Sequence, residues 1–217
     1  MSEIHHLPLT AILPHALPRD RSQIEPEALA ELQLSIATSG LRQPIEVFEL
    51  ATPEPPFTHG LISGLRRLTA HQALAALRQN GDFTTIAAFL RQPRSIPHAI
   101  ALMIEENEAR ADLSPWEKGR ILVDCVSQGI FETLDQAVKS LHPNITRQKR
   151  TRLRACATVV EDLEGRLPDP GRLTEHSILR LSSALRGGFV DLIHQVLKET
   201  MGQSLETQWA ALQQTLN

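Results

Sequence analysis

The chain has 217 residues, 41% hydrophobic and 22% charged, with a formal net charge of −3, a balance that supports one large or two small cores and excludes wholesale disorder. Only 4% of residues are aromatic and none is tyrosine, which argues against a stacking platform for single-stranded nucleic acid. No apolar run approaches the roughly twenty residues that cross a bilayer, and no basic-then-apolar leader opens the chain, so a cytoplasmic protein with no membrane partner is expected. Cys125 and Cys156 stand far apart and fit no metal-ligand spacing; reduced, buried thiols and no disulfide are expected.

The opening Ile4 to Leu17, broken by Pro8 and Pro14, reads as a short strand and an extended arm. Pro26 marks a helix start, Leu29, Leu32 and Ile36 recur at helical spacing, and Gly40 stands where a helix terminator is expected. Ile45 to Leu50 reads as a strand with Ile45 and Val47 on one face, followed by a proline-rich excursion over 52–56. Ile62-Ser63-Gly64-Leu65-Arg66-Arg67 is then a strand ending in a tight turn and a helix that opens on two cations. Helix N-termini offer free N–H groups to anions, while the macrodipole disfavours cations there unless a carboxylate or phosphate faces them. The helix runs through Leu77 with Gly81 as a stop, Thr84 to Leu90 reads as a strand, and a helix from near Pro97 carries Glu106-Asn107-Glu108-Ala109-Arg110. Interleaved strands and helices of this kind predict a compact lobe with a small sheet.

From Ser114 on, no strand is legible. Ser114-Pro115-Trp116-Glu117 is a capping box with proline in the first helical position, and its helix should reach about Gln128. Thr133-Leu134-Asp135-Gln136 repeats the pattern for a short helix to Leu141, proline at 143 forces a turn, and Thr146 caps a helix whose approach and first turns hold Lys139, Arg147, Lys149, Arg150, Arg152 and Arg154 with no acid among them. Such clustering outweighs a mildly acidic total. Ile178, Leu181 and Leu185, then Phe189, Ile193, Val196 and Leu197, make further apolar faces. Leu205, Trp209, Leu212 and Leu216 form a seam, either within one core or between protomers.

Taken together, Glu27-Ala28-Leu29-Ala30-Glu31-Leu32, Ser35-Ile36, Gly40-Leu41-Arg42-Gln43-Pro44-Ile45, the Gly64 turn with Arg66-Arg67 and the 106–110 segment resemble, in order and spacing, the ParB family of DNA-partition proteins. The resemblance implies an α+β chain: a ParB/sulfiredoxin-like nucleotide-binding lobe with a small mixed sheet over 1–113, an all-α helix-turn-helix DNA-binding region over 114–186, and C-terminal helices over 187–217 for dimerisation or packing. It implies CTP and Mg2+ as ligands, double-stranded DNA, a homodimer and a ParA-type ATPase as partners, and a nucleoid- or plasmid-associated protein in segregation. The alternatives are a helix-turn-helix repressor with a vestigial nucleotide site, and a nuclease or phosphotransferase on the sulfiredoxin-like fold.

The resemblance assigns nucleotide binding to Gly40, Gln43, Gly64, Arg66, Arg67 and Arg110, and Mg2+ to Glu106 and Asn107, whose hard oxygens suit an ion that keeps most of its ligands as water and phosphate. Guanidinium forks suit phosphate, and an amide such as Gln43 both donates to and accepts from a base edge; equally, Gly40 ends a helix and Gln43-Pro44 starts a strand. Where many family members carry an acid inside the glycine turn and a glutamine in the later segment, this chain has Leu65 and Ala109. Neither can position a water or accept its proton, so slow or absent hydrolysis and no catalytic residue are expected. In the second helix of the helix-turn-helix, capped by Thr146, bases should meet Arg147, Gln148 and Arg150 or Thr151, and phosphates Lys149, Arg152 and Arg154.

Overall fold

A computed structural model describes residues 3–18, 26–78, 81–109 and 113–216, for 107–109 the backbone alone. The chain divides into two units, Met1–Arg110 and Ala111–Asn217.

In the first unit, β1 (Ile4–Pro8), β2 (Ile12–Leu13), β3 (Ile45–Glu49), β4 (His59–Ser63) and β5 (Thr85–Arg91) form a sheet in the order β1-β5-β3-β4-β2. It is mixed: β1 runs antiparallel to β5, β5 parallel to β3, β3 antiparallel to β4 and β4 parallel to β2. The β3–β4 register shifts between Glu46 and Val47, which face Ser63 and Leu61. On this interior strand Leu61, Ile62 and Ser63 are all buried. Ile45, Val47, Leu61, Leu68, Ile86 and Ala88 form the main core against the sheet. Helices α1 (Pro26–Ser39) and α2 (Leu65–Leu77) close a smaller cluster of Ile36, Ala70 and Leu74, and α3 (Ile96–Ala109) packs against β4.

The second unit is helical throughout its described residues: α4 (Pro115–Ser127), α5 (Leu134–Leu141), α6 (Arg147–Leu163), α7 (Glu175–Arg186), α8 (Val190–Glu199) and α9 (Leu205–Thr215). Each except α8 starts on a Ser or Thr whose hydroxyl accepts from the backbone N–H three residues on: Ser114, Thr133, Thr146, Thr174 and Ser204. Such caps stabilise a helix by about 1 kcal/mol each. At Ser114 the box is complete, Glu117 accepting in return from the Ser114 N–H at 2.8 Å. At Thr133 it is displaced: Gln136 Oε1 reaches the Glu132 N–H, one residue upstream.

Helices α4 and α6 cross with almost no space between them. A Cβ on Gly119 would lie 2.7 Å from the Cys156 carbonyl carbon and oxygen, so only glycine permits this approach. One core runs the length of the unit, joining Trp116, Val159 and Leu163 with Ile178 and Leu181 and, further on, Ile193, Leu205 and Leu212. The 205–216 seam therefore faces its own unit: Leu205 and Leu212 are buried, with Trp209 and Leu216 packed partly buried against them. Both cysteines are free and buried. No helix among the described residues is long and apolar enough to cross a membrane.

Candidate functional site

The irregular end of β4 delivers the chain to Gly64, which has φ +99 and directly precedes α2. Glycine is needed here twice over. The positive φ disfavours any L side chain, and a Cβ would stand 2.7 Å from Ile45 Cγ2 and 3.2 Å from Arg67 Cζ. Gly64 provides no side-chain cap to α2, so the first-turn N–H groups are served by no hydroxyl or carboxylate from that position.

The two arginines that follow part ways. Arg66 is exposed and its Nη2 donates to the Ala28 carbonyl of α1 at 3.3 Å. Arg67 is half-buried and folds back over the start of β3, where Nη1 donates to the Gln43 carbonyl at 2.8 Å and also to the Pro44 carbonyl. Both thus donate to backbone carbonyl oxygens. Leu65 packs on the sheet core, leaving an apolar side chain inside the turn.

Arg67 accordingly joins two stretches more than twenty residues apart, the Gly64 turn and the segment from Gly40 to Ile45. Gly40, with φ +74, follows α1 and donates its N–H to the Ile36 carbonyl at 2.9 Å, a helix-terminating arrangement. Gln43 is exposed on the segment beyond it. Glu106 is half-buried near the end of α3, the helix that packs on β4. The side chain of Asn107 and the whole of Arg110 lie outside the described residues.

One residue that the sequence pattern does not single out lies beneath this turn. His71 is buried, its Nδ1 3.3 Å from the Arg67 carbonyl and its ring edge-on to Phe83 at 5.6 Å. Burial lowers its pKa, against an opposing contribution from that hydrogen bond. The i to i+4 spacing from Arg67 was the available signal.

In the second unit, α5 and α6 pack together and against α4. Thr146 Oγ1 accepts from the Lys149 N–H at 3.3 Å. The buried residues of α6 begin only at Ala155, so its first two turns carry Arg147, Gln148, Lys149, Thr151 and Arg152 exposed, with Arg150 and Arg154 half-buried. Two of these cations have acidic partners that the sequence pattern did not disclose. Arg154 pairs with Asp135 in the first turn of α5, and Arg152 Nη1 lies 3.3 Å from Glu175 Oε2 at the start of α7. Thr151 spends its hydroxyl on the Arg147 carbonyl at 3.1 Å.

Comparison with known proteins places these features. Residues 1–107 match the family described as ParB N-terminal domain. A probable chromosome-partitioning protein ParB of Pseudomonas putida is 34% identical over 122 residues, 55% of this chain and 37% of that relative, so the chain spans little more than a third of its length. Among solved structures, a Pnob8-like ParB-N domain aligns over 100% of this chain and 99% of its own at 12% identity and TM-score 0.54. The C-terminally truncated chromosome-partitioning protein ParB of Caulobacter crescentus, complexed with CTP-gamma-S, aligns over 97% and 99% at 19% identity and TM-score 0.40. The fold is that of an α+β protein with a mixed-sheet N-terminal unit and a helical C-terminal one. Its first 107 residues, just under half of the chain, match the ParB N-terminal domain family, and the chain is ParB-like over that span.

Proposed function

We propose that this protein is a partition protein that binds CTP with Mg2+ on its N-terminal unit and a specific double-stranded DNA site through α5 and α6 acting as a helix-turn-helix. The observation that supports the nucleotide half is the hydrogen bonding of Arg67 to Gln43 and Pro44, which sets the glycine turn beside the segment able to read a base. Arg66, Arg67 and Arg110 meet the phosphates, helped by first-turn N–H groups of α2, and Gln43 meets the cytosine edge. Glu106 and Asn107 offer the oxygen donors Mg2+ prefers. An ion of this kind is held chiefly by phosphate and water, with one or two protein ligands. When bound, Mg2+ neutralises phosphate charge.

In this reading α6 enters the major groove, with Arg147, Gln148, Arg150 and Thr151 toward the bases and Lys149 toward the backbone. Arg152 and Arg154 reach phosphate only by giving up Glu175 and Asp135. Nucleotide binding switches a homodimer between site-bound and clamped states on DNA, with a ParA-type ATPase as partner. Turnover is slow or absent, because Leu65, packed partly buried against the core, and Ala109 offer nothing to a water.

The test is a binding titration against the four ribonucleoside triphosphates with Mg2+, with and without duplex DNA, followed by phosphate release. Selective CTP binding with little phosphate release is expected. Equal affinity for all four, or none, overturns the nucleotide half, and brisk release overturns the claim of slow turnover.

A further inference from the structure

Of the described histidines only His71 is buried, and it sits one turn behind the arginines that open α2. We infer that His71 is a positioning residue through which the Gly64 turn is coupled to a proton: its ring ties the first turn of α2, and a polyphosphate bound there draws a second proton onto the ring, so binding tightens as pH falls. The inference rests on the nucleotide site proposed above and adds a residue to it.

Three observations carry it. First, His71 is 5% exposed and stands six positions after Leu65 in α2. Helix side chains lean toward the N-terminus, and its Nδ1 comes within 3.3 Å of the Arg67 carbonyl, so the ring is within about 10 Å of the helix start. Second, that partner sets the tautomer. A carbonyl oxygen only accepts, so Nδ1 holds the proton of the neutral ring and Nε2 is left to take up another. Protonation thus keeps the tie to Arg67 and makes it charge-assisted. Third, the neighbours of the ring leave its ionisation open to an anion at the turn. Arg66 and Arg67 lie toward the turn on the same helix. Phe83 packs edge-on to the ring at 5.6 Å, Arg78 lies 5.2 Å from the Phe83 ring centroid, and Asp82 precedes Phe83 in the chain. Around them α2 meets α1 through Leu29, Leu32 and Ile36, β3 through Ile45 and Val47, and the 9–11 turn through Leu9, all apolar. Burial and the Arg67 carbonyl are the two influences on the ring's proton affinity, and neither is a carboxylate.

With no anion at the turn, a charged His71 faces like charge, because two guanidiniums and the positive end of the α2 dipole lie on its N-terminal side. A polyphosphate reverses the sign of that field. At an effective dielectric of about 20, a unit charge about 10 Å away changes an ionisation equilibrium by about tenfold. Coupling is reciprocal, so a ligand that eases protonation is itself bound more tightly by the protonated protein.

The experiment titrates the full chain with inorganic tripolyphosphate and with CTP, each with Mg2+, from about pH 7.5 to 5.5, the range around the ordinary histidine pKa. His71→Asn is titrated beside it, since its amide still donates to the Arg67 carbonyl but takes up no proton in this range. Both ligands lose charge in acid, so the quantity compared is the ratio of wild-type to variant affinity at each pH. For each ligand that ratio should rise about fivefold from the upper to the lower pH, most of the coupling expected for one charge at this distance. In the wild type alone, the His71 Cε1–H resonance should titrate at a higher pH with tripolyphosphate than without it, a reading that serves if the variant does not fold. A flat ratio, or a resonance that titrates alike with and without ligand, overturns the inference and leaves the nucleotide site intact. A wild-type chain that binds neither ligand at any pH overturns the site and the inference with it.

Discussion

Arg152 of α6 lies with Nη1 3.3 Å from Glu175 Oε2 of α7, in a pair whose side chains are 51% and 47% exposed. At that exposure an ion pair contributes only about 0–1 kcal/mol, so a DNA phosphate can draw the arginine away. On the proposed DNA-binding reading, Glu175 competes with the duplex for Arg152. Glu175→Gln should bind duplexes of any sequence more tightly and steepen the salt dependence of log K by about 0.9 for the one further phosphate neutralised. Fluorescence anisotropy across a salt series checks this, and an unchanged slope would count against Arg152 as a phosphate ligand.

Arg147 and Lys149 should separate in the opposite sense. Both are exposed at the start of α6; replacing Lys149 with alanine should weaken specific and random duplexes alike and flatten the salt slope by about one. Arg147→Ala should cost about 1–3 kcal/mol on the specific site and little on random sequence. Competition titrations with the two duplexes supply the comparison, and equal losses for both variants would remove the assignment.

The α4–α6 crossing makes a third prediction, in which two effects oppose. Alanine in place of a mid-helix glycine ordinarily stabilises by roughly 0.5–1 kcal/mol. At Gly119 the new methyl would meet the Cys156 backbone at 2.7 Å, and backbone cannot rotate aside. Overpacking of that kind costs about 1–3 kcal/mol and should win, so Gly119→Ala lowers the urea midpoint of the helical unit. A raised midpoint would show that the two helices have slack between them.

His71 gives the N-terminal unit a pH dependence of defined sign. Burial holds its ring below the usual histidine pKa, so as pH falls the unfolded chain takes up the proton first. Above about pH 6.5 neither state is protonated there and the residue contributes no slope; below it, stability falls until the lower folded-state pKa is passed, then levels. Wild type should lose more stability between pH 7.5 and 5.5 than His71→Asn, which starts from a lower value. Parallel denaturation profiles would contradict this.

The cysteines should be chemically quiet. Burial, reinforced by Asp124, pushes the Cys125 thiol up to about 12, and burial followed by Glu175 pushes Cys156 up to about 11. Little thiolate exists at pH 8, so alkylation by iodoacetamide should be slow in the native protein and rapid in denaturant. Rapid native labelling would show that the α4–α6 crossing opens.

Local rules carried much of the fold. Ser114, Thr133 and Thr146 each act on the next three residues, and that reach is short enough to be visible as a pattern in the chain. β2, two residues long and paired with β4, is too short to display a pattern of its own. At the turn, Arg67 donates to carbonyls 23 and 24 residues back, and any residue type supplies a carbonyl, so no pattern in the chain announces the contact. Asp135 and Glu175 were hidden for a similar reason: an acid's distance from an arginine along the chain does not reveal which helices will pack.

The single interior shared by Trp116, Val159, Leu163 and Leu212 sets a rule for handling this protein. Trimming the chain before Leu205 to ask whether the tail mediates self-association would uncover the apolar face of α8, on which α9 packs. A loss of duplex affinity in such a shortened protein would report a loosened scaffold as readily as a change of oligomeric state. Stoichiometry is therefore to be read by crosslinking surface positions with α9 left in place.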